Sequence, residues 1–227
     1  MWPRTPYLEL LVLCCTIAPA QLAYVAISAR PPRAGVARPR DTIDYQVAGA
    51  YLGVGALVCV IEMLSPSVSW PPIPWRASGP LVLVGALTGV LAFAAEATVG
   101  TASAYRTGQR RMRLRANLGG RRLDAKMAGS ILLVAVVEEL LYRGVWIGVL
   151  RSDLHVPDVL AVSAAAAGYA AGHLYFGGLT VVQKLVSGVM FGALFVATGT
   201  IVVAVIAHLS LNIVVLGLAR ARDGVPQ

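Results

Sequence analysis

"LLVAVVEELLYRGVWIGVL", residues 132–150, is an apolar run interrupted in its middle by Glu138, Glu139 and Arg143. A helix that crosses a bilayer needs about 20 mostly apolar residues, and this run supplies them. A charged side chain at the bilayer centre costs roughly 3 kcal/mol on insertion scales. Three of them together therefore face the inside of a helix bundle rather than lipid. The stretch predicts one inner helix of a polytopic membrane protein.

The rest of the chain agrees. Of 227 residues, 57% are hydrophobic and 13% charged, and the mean hydropathy is +0.72, which excludes an ordinary soluble domain. The net charge of +8 comes mostly from Arg in the segments between apolar runs. That pattern follows the positive-inside rule and does not form a nucleic-acid face, so the bilayer and not a nucleic acid is the expected partner. Cys14, Cys15 and Cys59 all lie in apolar stretches, without metal spacing or a disulfide framework.

Apolar runs predict spans at 7–27, 45–64, 80–102, 127–150, 159–176, 181–197 and 200–219. The expected fold class is all-α, a polytopic membrane helix bundle of about seven transmembrane helices, with six to eight as the range. The last three runs are the shortest, and one of them can be re-entrant. The first reads as a retained helix and not a signal peptide, because its apolar stretch is long and Arg-rich sequence follows it. The segment "SPSVSWPPIPWRASG", 65–79, reads as an interfacial loop.

Seven spans put the basic loops 28–44 and 103–126, a loop with Lys184, and the Arg220/Arg222 tail on the cytoplasmic side, with the N-terminus outside. The expected organisation is 1–126, helices one to three with basic cytoplasmic loops; 127–219, the helices that carry the chemistry; and 220–227, a cytoplasmic polar tail. An Arg-heavy, Lys-poor, Ala/Val/Gly-rich composition suggests a bacterial multi-pass protein of the inner (plasma) membrane. Glycine pairs at Gly49/Gly53, Gly85/Gly89, Gly144/Gly148, Gly168/Gly172 and Gly188/Gly192 have the spacing of close helix contacts. The run "SAAAAGYAAG" predicts a tightly packed inner helix.

The acids divide by type. All six Asp lie in loops or the tail, and all five Glu lie in or beside apolar runs. Glu9 and Glu62 are near helix ends and can reach the headgroups. Glu96 is deeper, and a structural hydrogen bond is its expected role. The other buried polar residues form i,i+4 pairs, which share a helix face. Glu139 pairs with Arg143, and His208 with Asn212. Tyr169 pairs with His173, and Glu138 with Tyr142. Arg cannot lose its proton, so Glu139 is its natural counter-ion. Glu138 sits about 100° round the helix, without that partner. Glu138, His173, His208 and Asn212 converge if the fourth, fifth and seventh helices pack together.

Such a set suits water attack on an amide carbonyl. A carboxylate held out of water is a plausible general base, a neighbouring His can share the proton, and a His with an Asn amide can donate to an oxyanion. Several other chemistries lack their tools here. The chain has no HExxH zinc motif, no GxSxG elbow and no Cys-His pair in register, and two His within spans are too few for a His-rich di-iron oxygenase.

Three motifs together resemble those of a known family. "EELLYR", 138–143, resembles the E-E-x-x-x-R motif of the CAAX prenyl protease and bacteriocin-processing (CPBP, or Abi) family. "YAAGH", 169–173, resembles its F-x-x-x-H motif, with Tyr169 in place of Phe, and "HLSLN", 208–212, its H-x-x-x-N motif. Order and spacing agree over about residues 127–218; the first three spans are similar only in being apolar.

The resemblance implies a glutamic intramembrane endopeptidase acting on a membrane-associated protein or C-terminal peptide. In that picture Glu138 and His173 activate water, and His208 and Asn212 stabilise the oxyanion. Glu139 and Arg143 hold the site together, supported by Tyr142 and Tyr169. The metal-free reading is preferred because neither histidine has an evident carboxylate behind it. The alternative is zinc on Glu138, His173 and His208 with water as the fourth ligand. Two other readings compete. A catalytically inactive scaffold or bacteriocin-immunity protein would not need all four polar residues intact. A proton-coupled transporter should show an inverted repeat, and none is visible.

Overall fold

The computed structural model describes residues 6–17, 19, 41–64, 78–106 and 124–223. Among these residues all regular structure is helical. The elements are α1 (Pro6–Thr16), α2 (Asp41–Leu64), α3 (Gly79–Arg106), α4 (Ala125–Glu139), α5 (Gly148–Ser152), α6 (Asp158–Ala171), α7 (Gly178–Thr198) and α8 (Ile201–Asp223). A π-helical stretch, Leu140–Ile147, joins α4 to α5, and a 3-10 turn, Leu174–Phe176, lies between α6 and α7. Lipid offers the backbone no hydrogen bonds, and a helix satisfies its own. The molecule is a helical membrane bundle, as its composition predicts.

Helix α3 shows how the bundle is ordered. Leu83, Leu87 and Leu91, one turn apart, are each more than half exposed, and form an outward-facing apolar stripe. The opposite face buries Gly85, Gly89, Ala92, Glu96 and Gly100. There α3 approaches α8 closely. A Cβ on Gly85 would come within 2.8 Å of the Val203 carbonyl oxygen, and one on Gly89 would collide with that of Ala207. The spacing at Gly85/Gly89 thus marks a real contact, whereas Cβ atoms at Gly49 and Gly53 would meet nothing. Helices α7 and α8 are neighbours because only Gly199 and Thr200 connect them. Gly199 takes the left-handed conformation at φ 65°, and its N–H donates to the Phe195 carbonyl at 2.8 Å.

Two apolar clusters result. One gathers Tyr51, Tyr142, Trp146, Ile147, Val162 and Tyr169 from α2, the π stretch and α6. The other gathers Ala92, Phe191, Ala207 and Leu211 from α3, α7 and α8. Helix α1 joins the first, where the Trp146 Nε1–H donates to Thr16 Oγ1 at 2.7 Å. Helix α6 is the tightly packed inner helix that its alanine run predicts, with Ala161, Ala165, Ala166 and Ala170 buried.

Among the described residues three helices are long and apolar enough to cross a membrane: Gly79–Arg106, Gly178–Thr198 and Ile201–Ala221. The expected fifth span, 159–176, is shorter than predicted. Helix α6 stops at Ala171 after 14 residues, roughly 21 Å at 1.5 Å per residue, against a hydrocarbon core of about 30 Å. Lys184 is also not in a loop. It lies inside α7, where its Nζ donates to both oxygens of Glu96, at 2.9 and 3.1 Å. Glu96 further accepts from Ser187 Oγ at 2.6 Å, and its carbonyl accepts from Gln183 at 2.8 Å. It therefore braces α3 against α7, the structural role expected of it. Most of the basic loops 28–44 and 103–126, and the second half of the first expected span, lie outside the described residues.

Candidate active site

Helix α4 begins where Asp124 accepts a hydrogen bond from the Met127 N–H at 2.7 Å, satisfying one of the free donors of a helix start. Its register brings Glu138 and Glu139 to its last turn, both buried. The sequence predicts a regular helix through to residue 150. Instead the ladder widens to π over Leu140–Ile147, and every residue from Leu141 to Val149 is buried. A π segment in a helix is rare and tends to mark a functional site. Here it surrounds Tyr142 and Arg143 with α6, α7 and α8 at once.

Arg143 is fully buried between the two apolar clusters. Its Nη1 lies 3.1 Å from Glu139 Oε1, and its Nη2 donates to the Gly188 carbonyl at 3.0 Å. The Nη1 contact is close but poorly aligned, so attraction between charges dominates it, while Nη2 makes the directed bond. The guanidinium also lies 5.0 Å from the Tyr169 ring centre and 5.6 Å from that of Phe191, where ring faces attract a cation. Gly188 can present its carbonyl this way because α6 lies against it. A Cβ there would come within 3.1 Å of Ala166 and Tyr169.

Both histidines reach Glu138 from other elements. His208, in α8, places Nδ1 2.7 Å from Glu139 Oε1 and Nε2 3.8 Å from Glu138 Oε2. His173 places Nε2 3.9 Å from Glu138 Oε1. It does not sit within a helix as predicted, but in the turn just past the end of α6. Its backbone N–H turns to the Ala170 carbonyl, and its ring Nδ1 meets the Tyr169 carbonyl at 3.0 Å. A carbonyl only accepts, so Nδ1 carries the hydrogen and Nε2 the lone pair. The ring thus caps a carbonyl that the helix end leaves free.

His208 also corrects the expectation that no carboxylate stands behind either histidine: Glu139 does so for His208. With Nδ1–H donated to Glu139, a neutral His208 accepts at Nε2, where the Tyr169 hydroxyl lies 3.4 Å away. Tyr169 packs edge-on against Tyr142, His173 and His208. The structure therefore brings together Glu138, Glu139, Tyr142, Arg143, Tyr169, His173 and His208. Asn212 lies one turn beyond His208 on α8, partly buried, and its side chain makes no hydrogen bond among the described residues.

Sequence reasoning missed Gly188 and Phe191, since nothing in an apolar run marks a carbonyl or ring that will hold an Arg. It also missed Tyr51 of α2, whose buried hydroxyl points to the Gly172 backbone beside His173: a Cβ on Gly172 would lie 3.1 Å from it.

Comparison with known proteins gives one match. Residues 125–214 match the family model described as Rce1-like, type II CAAX prenyl endopeptidase Rce1-like. No curated protein and no solved structure matches the chain. The matched segment runs from the first turn of α4 to the middle of α8 and contains every residue of the three motifs. Over residues 125–214 the chain is thus similar to the Rce1-like CAAX prenyl endopeptidases, in agreement with the family its motifs resemble.

Proposed function

We propose that the protein is an intramembrane endopeptidase that hydrolyses a peptide bond of a membrane-associated protein or C-terminal peptide, with Glu138 as general base. The observation that carries this reading is the approach of two histidine Nε2 atoms to Glu138, at 3.9 and 3.8 Å, one toward each oxygen. Both distances exceed a direct hydrogen bond and suit a water-sized group shared among the three.

Glu138 takes a proton from that water as its oxygen attacks the carbonyl carbon. The His173 Nε2 lone pair accepts the water's other hydrogen and aims it. The oxyanion receives a hydrogen bond from the Asn212 amide and a second from His208 Nε2 when that ring has taken up a proton from solvent before substrate binds, its Nδ1–H staying on Glu139. Glu138 then returns its proton to the leaving amine as the C–N bond breaks. Burial of Glu138 and His208 keeps bulk water from competing for these groups.

The steps need no metal. Each histidine does have an oxygen behind its Nδ1, as metal-bound imidazoles do. Among the described residues, however, no group of three His, Cys, Asp or Glu is arranged to hold an ion. Glu138, His173 and His208 are the set that zinc would use, and it would supply polarisation of the carbonyl or water. A multi-pass place in the bacterial plasma membrane, with the N-terminus outside, completes the proposal.

The matched family is described as a type II CAAX prenyl endopeptidase, so a farnesylated, internally quenched CAAX peptide is the first probe. A genome-neighbour peptide and a C-terminal sorting tail follow. Glu138→Gln should fold and insert normally and lose cleavage of whichever probe the wild type cuts. Undiminished cleavage by that variant would sink the general-base assignment.

A further inference from the structure

Three phenols surround Glu138, and two have partners. Tyr142 donates to the Ile17 carbonyl at 3.4 Å, and Tyr169 meets His208. The third, Tyr51, comes from α2, outside the matched segment. It is 1% exposed, and its hydroxyl is buried with no partner at full hydrogen-bond geometry. A buried hydroxyl left unbonded is destabilising, because water has been removed and nothing replaces its hydrogen bonds.

Its surroundings offer a partner. The hydroxyl has both Glu138 and the Tyr142 hydroxyl within hydrogen-bonding reach, and of the two only the carboxylate is a charged acceptor. The Gly172 backbone lies on its other side, where a Cβ would come within 3.1 Å of it and 3.6 Å of the Tyr142 hydroxyl. Helix α2 is held against α4 one residue before Glu138, with Val137 3.8 Å from a Cβ on Gly55. A phenol can donate to a carboxylate, and a directed bond of this kind fixes which way the oxygens face.

We propose that Tyr51 is a positioning residue of the site: its hydroxyl donates to the Glu138 carboxylate and holds one oxygen in place while the other meets the water. Helix α2 then completes a site whose other polar groups come from α4, the π stretch, α6 and α8. The inference rests on the proposed role of Glu138, but its hydrogen bond can be tested without cleavage.

The test is infrared difference spectroscopy of the full chain in lipid nanodiscs. The Glu138 carboxyl band is assigned by its loss in Glu138→Gln. Tyr51→Phe, which keeps the ring, should move that band toward the position of a carboxyl with one fewer hydrogen bond. 3-Fluorotyrosine at position 51, a stronger donor, should move it the opposite way. A band unmoved by both would overturn the proposal. With a cleaved probe, Tyr51→Phe should lower kcat about tenfold or more with KM within about twofold. If Glu138→Gln cleaves normally while the band still moves, the general-base assignment fails and the hydrogen bond stands.

Discussion

Nδ1 of His208 stands 2.7 Å from Oε1 of Glu139, the same oxygen that Arg143 approaches at 3.1 Å. Glu139 is therefore more than a counter-ion for Arg143. It also turns His208 so that its other nitrogen faces Glu138. Two consecutive carboxylates are thus held differently: Glu139 by Arg143 and His208, and Glu138 with an imidazole Nε2 near each oxygen.

Arg143→Ala should destabilise the protein by about 3–5 kcal/mol, because it leaves Glu139 buried without its permanent counter-ion, with only the His208 hydrogen bond remaining. Thermal unfolding in detergent checks this, and cleavage should fall with the folded fraction. A variant as stable as wild type but inactive would instead put Arg143 in the chemistry.

Asn212→Ala should behave differently. The Asn212 side chain makes no hydrogen bond in the resting protein among the described residues, so stability should change by no more than about 0.5 kcal/mol. If it donates to the oxyanion, kcat should fall about 100- to 1,000-fold with KM little changed. Equal kcat for the variant and wild type would remove Asn212 from the mechanism.

Glycine substitutions should separate a packing glycine from a spacer. Gly89→Ala drives a methyl into the Ala207 carbonyl and should lower stability by about 1–3 kcal/mol or more. Gly53→Ala meets open space and should be neutral or stabilising by up to about 1 kcal/mol. Comparing the two melting temperatures under one condition tests the α3–α8 contact directly.

Metal removal tests the preferred chemistry. Prolonged treatment with a chelator should leave cleavage unchanged. Loss of activity that added zinc restores would instead assign Glu138, His173 and His208 to a metal.

Much of this was legible in the primary structure, for reasons of solvent. In a bilayer a buried charge is costly enough to stand out, so Glu138, Glu139 and Arg143 identified themselves, and the spacing of four residues paired Glu139 with Arg143. Apolar length alone predicted an all-helical membrane bundle. Gly85/Gly89 read correctly as a contact, while Gly49/Gly53 has the same spacing and touches nothing, since spacing cannot say which helix lies opposite.

Tertiary structure decided the rest. The end of α6 at Ala171 depends on a His173 ring that replaces a helical N–H at the Tyr169 carbonyl. Lys184 lies within a helix because Glu96, 88 positions earlier, neutralises it there. The Gly188 carbonyl and the Tyr51 hydroxyl carry no local signal, since a backbone oxygen belongs to every residue and an aromatic in an apolar run is usually core. The sequence alone determined that charges must meet inside the bundle, because lipid penalises each of them locally. Which nitrogen faces which carboxylate depends on long-range packing, and only the assembled helices settle it.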